Sequence, residues 1–337
     1  MPSQNVNQDE AAVPDSDRLS VAVCCDEHYA MPLGVTLNSM LRSLKKDSSV
    51  NLYIICTNIS DDMRIRLTNS CAVDGIDARL DFILPDVSLV DRFHVRGHMS
   101  KAGYYRLLLP DLLPQSLDKV IYLDSDLLVQ GCLSDLWSAP IGNYALLAVE
   151  DILSQTVSSS AGLYNWRELG FAADDPYFNS GVLVIGLNKW RRDGITAKLL
   201  EYLSGDTSRF RCHDQEALNA VLGHEWGQLD LTWNSFPFYL QPSISGWADT
   251  PFKRRLEANF EELAYGPAIC HYVSKKKPWI PGYRPAMQSE WLTALRLSGW
   301  FNPSEFASWY LTWRCRHYPS GIRNKIYDYV HRSSATH

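Results

Sequence analysis

Short apolar runs alternate with segments of helical period through the first 125 residues, and this constrains the fold more than any other feature. Leu19 to Cys25 is a continuous apolar run, short enough for a buried parallel strand. Val35 to Leu44 places Val35, Leu37, Met40, Leu41 and Leu44 at helical spacing and ends in Lys45-Lys46, favourable at a helix C-terminus. Val50 to Cys56 reads as a second strand. "SDDMRIRLTNSCAV" reads as a helix capped by Ser60, and Arg79 to Leu84 as a third strand. Lys101 to Leu109 reads as helix and Lys119 to Leu123 as a fourth strand. This order predicts βαβ units and a mostly parallel sheet. The second half is less regular. Ala145 to Val149, Gly181 to Leu187 and Ala268 to Tyr272 read as strands, Asn188 to Leu203 and His213 to Leu222 as helices, and residues 230–251 as a packed irregular loop.

The chain has 337 residues, enough for one large α/β domain with decorations or for two domains. Hydrophobic residues make up 46%, which supports an extensive core. A formal net charge of -6 argues against nucleic acid as a partner. An anionic small molecule would then need a metal or a local basic cluster. The eight cysteines have no CxxC spacing, so a zinc ribbon is not expected, and scattered reduced thiols suit the cytoplasm. Residues 1–17 are polar and acidic and read as a loose tail rather than a signal peptide. No run of about 18 apolar residues suggests a membrane-spanning helix.

The fourth strand delivers two carboxylates at its end, in "KVIYLDSDLLV": Asp124 and Asp126. Ligands of open α/β sheets bind at the carboxyl ends of strands, and residues two apart on an extended chain point the same way. Both acids can therefore face one cation. The motif alone is short: Asp15-Ser16-Asp17 repeats its letters within the polar tail, where no role is expected. The preceding strand carries the signal. Haloacid-dehalogenase-like phosphatases also set D-x-D at a strand end, but near the N-terminus and with different residues following. Here Leu127-Leu128 follows, and three βα units precede. His271 follows the last short strand and precedes Lys275-Lys276-Lys277. Oxygen ligands with one imidazole suit Mn²⁺ or Mg²⁺ better than a closed zinc site. The lysines are either a solvated face or a diphosphate clamp.

Six segments, "CCDEHYA", "HMSKAGYYRLLLPDLLP", "KVIYLDSDLLV", "YFNSGVLVIGLNKWR", "HDQEALNAVL" and "HYVSKKKPW", carry a resemblance across roughly residues 19–285. The chain resembles family 8 of the retaining glycosyltransferases, most closely the bacterial enzymes that add hexoses to the lipopolysaccharide core. The resemblance implies an α/β fold of the GT-A type over residues 18–285, with a UDP-glucose or UDP-galactose donor. It implies that Asp124, Asp126 and His271 hold Mn²⁺ or Mg²⁺ across the diphosphate and that Lys277 contacts the diphosphate oxygens. Cys24, Asp26 and Tyr29 fall at the uridine positions, and His98 and Arg106 near the donor. Asp151, Asn179, Ser180, Asp214 and Gln215 match the donor-sugar pocket.

The family pattern has glycine where Ser274 stands, which allows close backbone approach to phosphate. It often has Asp where Glu216 stands, and does not require Lys275 or Lys276. By the same resemblance the residue nearest the anomeric carbon is Gln215, a poor nucleophile. Front-face transfer is therefore expected, with Asp151 or Asp214 either a reserve nucleophile or a hydrogen-bond partner of sugar hydroxyls.

Residues 286–337 form an aromatic and basic extension. From residue 300 five basic side chains stand against two acidic ones. The extension is either an interfacial anchor on anionic lipid, near a lipid-linked oligosaccharide acceptor at the inner face of the membrane, or a helical segment packed on the core.

Overall fold

The computed structural model describes residues 18–91, 93, 101–205, 210, 213–236, 250–273 and 275–316. The main sheet contains β1 (Leu19–Cys25), β2 (Ser48–Cys56), β3 (Ile76–Ile83), β4 (Lys119–Leu123), β6 (Leu146–Glu150), β7 (Phe178–Gly186) and β8 (Trp226–Gln228). A two-stranded sheet pairs β5 (Leu127–Val129) with β9 (Ile269–His271). The main order is β3-β2-β1-β4-β7-β6-β8. Strands β1 to β4 are mutually parallel, β7 is antiparallel to both neighbours, and β8 is parallel to β6.

Alternation along β1 explains why the sheet is covered on both faces. Val21, Val23 and Cys25 join one hydrophobic cluster, and Ala22 and Cys24 the other. Burying a Val, Leu or Ile side chain contributes about 1.5–3 kcal/mol, so two such layers make the sheet the rigid part of the molecule. Helix α1 (Ala30–Ser43) covers the first face, and Leu33, Leu37, Met40 and Leu41 are fully buried there. Helix α2 (Asp61–Ser70) is capped by the Ser60 side chain, as its sequence predicts. At the foot of β1, the buried Arg18 guanidinium pairs with Asp77 and donates to Asn51 Oδ1, tying three strands together.

Several elements depart from the sequence expectation for local reasons. Strand β7 starts at Phe178 rather than Gly181; its first turn of chain, Asn179-Ser180, is polar because it lines a cleft, so apolar patterning missed it. Asn188 to Leu203 is two helices, Leu187–Arg192 and Ile195–Leu203, broken where Gly194 takes φ 61°. Lys101–Leu108 is a 3₁₀ helix leading into a short α-helix, Leu109–Leu112. Edge strand β3 starts at Ile76 and alternates in burial, so its half-exposed start lacks a continuous apolar run. The 230–251 stretch opens as the 3₁₀ helix Leu231–Asn234, and residues 237–249 lie outside the described residues.

Beyond residue 285, helix Gln288–Leu297 packs on α1 and helix Pro303–Cys315 follows behind a capping box of Asn302 and Glu305. Trp291 and Trp300 are buried in the same cluster as β1, and Phe301, Phe306 and Trp309 pack against it. Arg66 of α2 donates to the Trp300 carbonyl and pairs with Glu305. No described helix is long and apolar enough to cross a membrane.

Candidate active site

Strands β1 and β4 are parallel neighbours whose following elements leave in opposite directions along the sheet. The crevice above such a switch point is where open α/β sheets bind ligands. Here it is a cleft of about 250 Å³, lined by Cys24, Asp26, Tyr29, Arg106, Asp124, Asp126, Asn179, Ser180, Asp214, Gln215, His271 and Lys277 among others. The antiparallel run of β7 brings its beginning, rather than its end, to this level, which delivers Asn179 and Ser180. Strand β5 leaves directly from Asp126 and pairs with β9, so Leu127 lies opposite His271. That two-stranded pairing closes 145 residues of sequence and brings the imidazole to the acids.

The turn between the acids is held from three sides. Ser125 donates to the Cys24 carbonyl at 2.8 Å. The Thr36 hydroxyl of α1 bridges the carbonyls of Ser125 and Leu127, and Asp124 N–H donates to the Gly181 carbonyl. His271 Nε2 then lies 3.3 Å from Asp126 Oδ1 and 3.8 Å from Asp124 Oδ2. One ligand atom from each of the three residues falls within 4.8 Å of the others. Two carboxylate oxygens from a pinned turn and an imidazole nitrogen from β9 form a donor set that fits a Mn²⁺ or Mg²⁺ ion. Gly181 is required by this closeness: a Cβ there would sit 2.3 Å from His271 Cε1 and 2.9 Å from Asp124 Oδ2.

Buried charge is matched residue by residue. Burial pushes the Asp126 carboxyl up, but the Lys277 ammonium on its Oδ2 and His271 on its Oδ1 outweigh burial and hold it well below the usual carboxylate range. Lys277 also donates to the Tyr272 carbonyl at 2.6 Å. Burial alone would lower its pKa, yet Asp126 keeps it raised, so the ammonium stays charged. Asp124 Oδ1 receives Tyr122 Oη at 2.8 Å and Arg106 Nη2 at 2.9 Å, which turns Oδ2 toward His271. The Arg106 guanidinium stacks over the Tyr122 ring at 4.6 Å and reaches Asp214 Oδ2 with Nε at 3.0 Å. Burial pushes the Cys24 thiol up to about 12, so it lines the cleft as a neutral group.

The far end of the cleft is built from amides. Gln215 Oε1 accepts from Ser180 N–H at 3.0 Å and Asn179 Nδ2 at 3.1 Å, and its Nε2 donates to Asp151 Oδ2 at 2.9 Å. Asn179 Nδ2 donates to the same Asp151 oxygen at 3.0 Å. Asp151 Oδ1 accepts from the N–H groups of Leu153 and Ser154. Asp151 is thus buried behind Asn179 and Gln215 and does not line the cleft, whereas Asp214 does.

Twelve of the fourteen residues singled out from sequence therefore line one cleft. Asp151 stands behind it, and His98 lies outside the described residues, as does Ser274. Asp26 uses Oδ1 to cap the 3₁₀ turn Glu27–Tyr29. Tyr29 meets Trp279 edge to face, and the Lys277 ammonium lies about equally far from both rings, at 6.0 and 5.9 Å. Tyr122 and Asn234 were missed. Tyr122 reads as a strand residue, although its place two before Asp124 puts it on the same side. Asn234, which accepts from His271 Nδ1 at 2.9 Å, sits in a loop without a pattern, and only the packed structure reveals it.

A largely parallel sheet with an acid pair and an imidazole over its switch point defines the class of GT-A-type sugar transferases. The fold matches that of galactosyltransferase LgtC, solved with donor and acceptor sugar analogs: TM-score 0.69, 24% identity, 86% of this chain and 100% of that one. Residues 20–281 match the family described as Glycosyl transferase family 8, and the chain belongs to that family. It is 30% identical over 286 residues to General stress protein A of Bacillus subtilis, covering 84% of this chain and 94% of that protein. It is 23% identical over 270 residues to the lipopolysaccharide 1,2-glucosyltransferase of Escherichia coli, covering 80% and 75%.

Proposed function

We propose that the protein is a UDP-sugar-dependent, retaining α-glycosyltransferase that moves glucose or galactose from UDP to a lipopolysaccharide core oligosaccharide. The observation that carries this reading is the convergence of Asp124, Asp126 and His271 at one end of a cleft whose other end is a ring of amides. Asp124, Asp126 and His271 would hold Mn²⁺ or Mg²⁺. When bound, the dication supplies Lewis-acid neutralisation of the leaving diphosphate. Lys277 adds a fixed positive charge there, and Tyr29 offers a ring beside Asp26 for the base. Arg106 pairs with both Asp124 and Asp214 and holds them in place.

The route to retention is favoured by what the sugar end does not offer. The Gln215 carbonyl already accepts from Asn179 and Ser180, and Asp151 accepts from four N–H groups. Neither has a free lone pair aimed into the cleft, and the Asp214 carboxylate is held by Arg106. A front-face route needs no protein nucleophile. The acceptor O–H bond breaks as its oxygen bonds the anomeric carbon, and the proton goes to the departing diphosphate oxygen. Asp214, Asn179 and Ser180 orient the hexose by its hydroxyls, and burial of the cleft floor excludes water from the reacting face.

We assign catalysis to residues 18–285 and treat 286–337 as an extension of a cytoplasmic enzyme that touches the inner membrane face peripherally. The aromatics of 300–316 largely face the core, so this contact rests on Arg314, Arg316 and the basic residues beyond them. Full-length protein should bind anionic vesicles at low salt and release them as salt rises; a chain ending at residue 316 should bind less. Full-length protein that ignores such vesicles would remove the membrane contact and leave the enzyme reading intact.

The deciding experiment is UDP release in the presence of Mn²⁺ from a panel of UDP-sugars, with and without core oligosaccharide. Stimulation of release from UDP-glucose or UDP-galactose by the oligosaccharide is expected. Release stimulated only by another glycan, a protein or a polyol would move the acceptor within the family, and no release from any UDP-hexose would overturn the reading.

A further inference from the structure

Asn234 is 2% exposed, ends the 3₁₀ helix Leu231–Asn234, and stands between the two ends of the cleft. Its Oδ1 faces His271 Nδ1 at 2.9 Å and its Nδ2 faces Asn179 Oδ1 at 2.8 Å. Amide and imidazole orientations must be fixed by the network, and here two backbone N–H groups fix them. Gly181 N–H donates to Asn179 Oδ1 at 2.9 Å, and a backbone N–H can only donate. That atom of Asn179 is therefore the acceptor, and Asn234 must present its NH₂ to it. The Asn234 carbonyl is then left for His271, so Nδ1 must carry a proton, and Nε2 is the nitrogen left to face the acids and a dication. At the other end Ser180 N–H donates to Gln215 Oε1, which fixes Gln215 in the same way and leaves its NH₂ for Asp151. Every donor from Ser180 to His271 is thus assigned without a choice.

We infer that Asn234 is a positioning residue that couples the two ends of the site: it holds His271 as the Nδ1–H tautomer, with Nε2 toward Asp124 and Asp126, and it holds Asn179 in the sugar pocket. The inference rests on the proposed metal and sugar roles of these ends. Loss of the amide frees the imidazole to rotate or change tautomer, which weakens a metal ligand. The same loss leaves Asn179 Oδ1 short of one donor, so dication affinity and sugar engagement fall together. Linkage requires the reciprocal effect, with donor sugar tightening metal binding beyond what UDP alone achieves.

Two substitutions separate the halves of this coupling. Asn234→Leu removes both contacts; Mn²⁺ affinity, read by electron paramagnetic resonance, should fall about 10- to 100-fold. Asn234→Asp keeps an acceptor for Nδ1–H but turns an oxygen toward Asn179. At pH 8 it should bind Mn²⁺ as tightly as wild type or more tightly, yet lose about tenfold in kcat for transfer and lose the extra tightening by the sugar. Long-range ¹H–¹⁵N correlation of His271 in wild-type protein with Mg²⁺ should place the ring proton on Nδ1 in slow exchange with water, and Asn234→Leu should make that exchange fast, a difference that a packing role for Asn234 would not predict. A proton on Nε2, or wild-type metal affinity and kcat in both variants, would overturn the inference. Asp126→Asn is the parallel control. If it abolishes Mn²⁺ binding while Asn234→Leu leaves the affinity unchanged, the coupling alone fails; if neither changes Mn²⁺ binding, the metal reading fails with it.

Discussion

At the metal end of the cleft, Asp126 faces an ammonium and an imidazole; at the sugar end, Asp151 faces four N–H groups of neutral amides. Both carboxylates are buried, and an unmatched buried charge costs several kcal/mol. The two solutions differ in what they leave available. Lys277 and His271 are discrete side chains, so Asp126 can trade its direct contact with them for one to a dication that His271 shares and Lys277 flanks. The amides around Asp151 are part of the backbone turn and of Asn179 and Gln215, so that carboxylate is spent on holding shape. On the proposed function, one end takes up charge and the other stays fixed while a neutral hexose is placed.

The strongest test of this contrast is Asp126→Asn against Gln215→Ala. Asp126→Asn is isosteric and sits in a turn pinned by Thr36 and Ser125, so the fold should survive. Turnover should fall by orders of magnitude, because the diphosphate charge loses its counter-ion. Asp15→Asn in the tail should behave as wild type. Full activity of Asp126→Asn in EDTA would erase the distinction between the ends. Gln215→Ala should be milder, because an orienting amide contributes less than a charge: a loss of about 10- to 100-fold, with turnover still measurable. Asp151→Asn and Asp214→Asn should likewise leave activity. A hexose mass increment trapped on a peptide carrying residue 151, 214 or 215 would show that this end reacts covalently, and front-face transfer would be lost.

Legibility in the sequence followed the same divide. The parallel half of the sheet could be read because buried strands are continuous apolar runs, and the acid pair because it interrupts one. The assignments of Asp124 and Asp126 to one ion needed only the strand before them, whereas His271 needed the resemblance, since nothing local ties residue 271 to residue 126. That tie is the β5–β9 pairing, two strands of three residues each. The sugar end was less legible. Phe178 to Ser180 are strand residues without strand periodicity, and Asn234 contributes through a hydrogen bond that no spacing rule encodes. Asp151 illustrates the limit from the other side: the resemblance matched it to the donor-sugar pocket, and only the structure shows that the turn at Leu153-Ser154 holds its carboxylate behind Asn179.

A finer distinction lies within the metal end. Asp124 is held by Tyr122 and Arg106 on Oδ1, which turns its Oδ2 toward His271, whereas Asp126 has Lys277. Tyr122→Phe keeps the ring under Arg106 and removes only the O–H donor. Mn²⁺ affinity should fall about tenfold, the low end for partners of metal ligands, with the melting temperature changed by a few degrees at most. Calorimetric titration with Mn²⁺ checks this. Unchanged affinity would mean that Arg106 alone orients Asp124.

The smallest effect expected is one of stability in acid, and it isolates Asp126 in metal-free protein. Its folded-state pKa is depressed, so the unfolded chain binds the proton first as pH falls. The resulting stabilisation is fully present above the unfolded value of about 4 and is lost as pH falls from there toward the folded value. One group can contribute a slope of at most about 1.4 kcal/mol per pH unit in that window. The other acidic side chains titrate there too, so the quantity to measure is the difference in unfolding free energy between wild type and Asp126→Asn, in EDTA. It should be constant from pH 8 to pH 5 and shrink below pH 4. A difference that stays constant down to pH 3 would mean that Lys277 and His271 do not stabilise the ionised carboxylate over the protonated one, and the charge-exchange picture of the metal end would fail while the amide end stood unaffected.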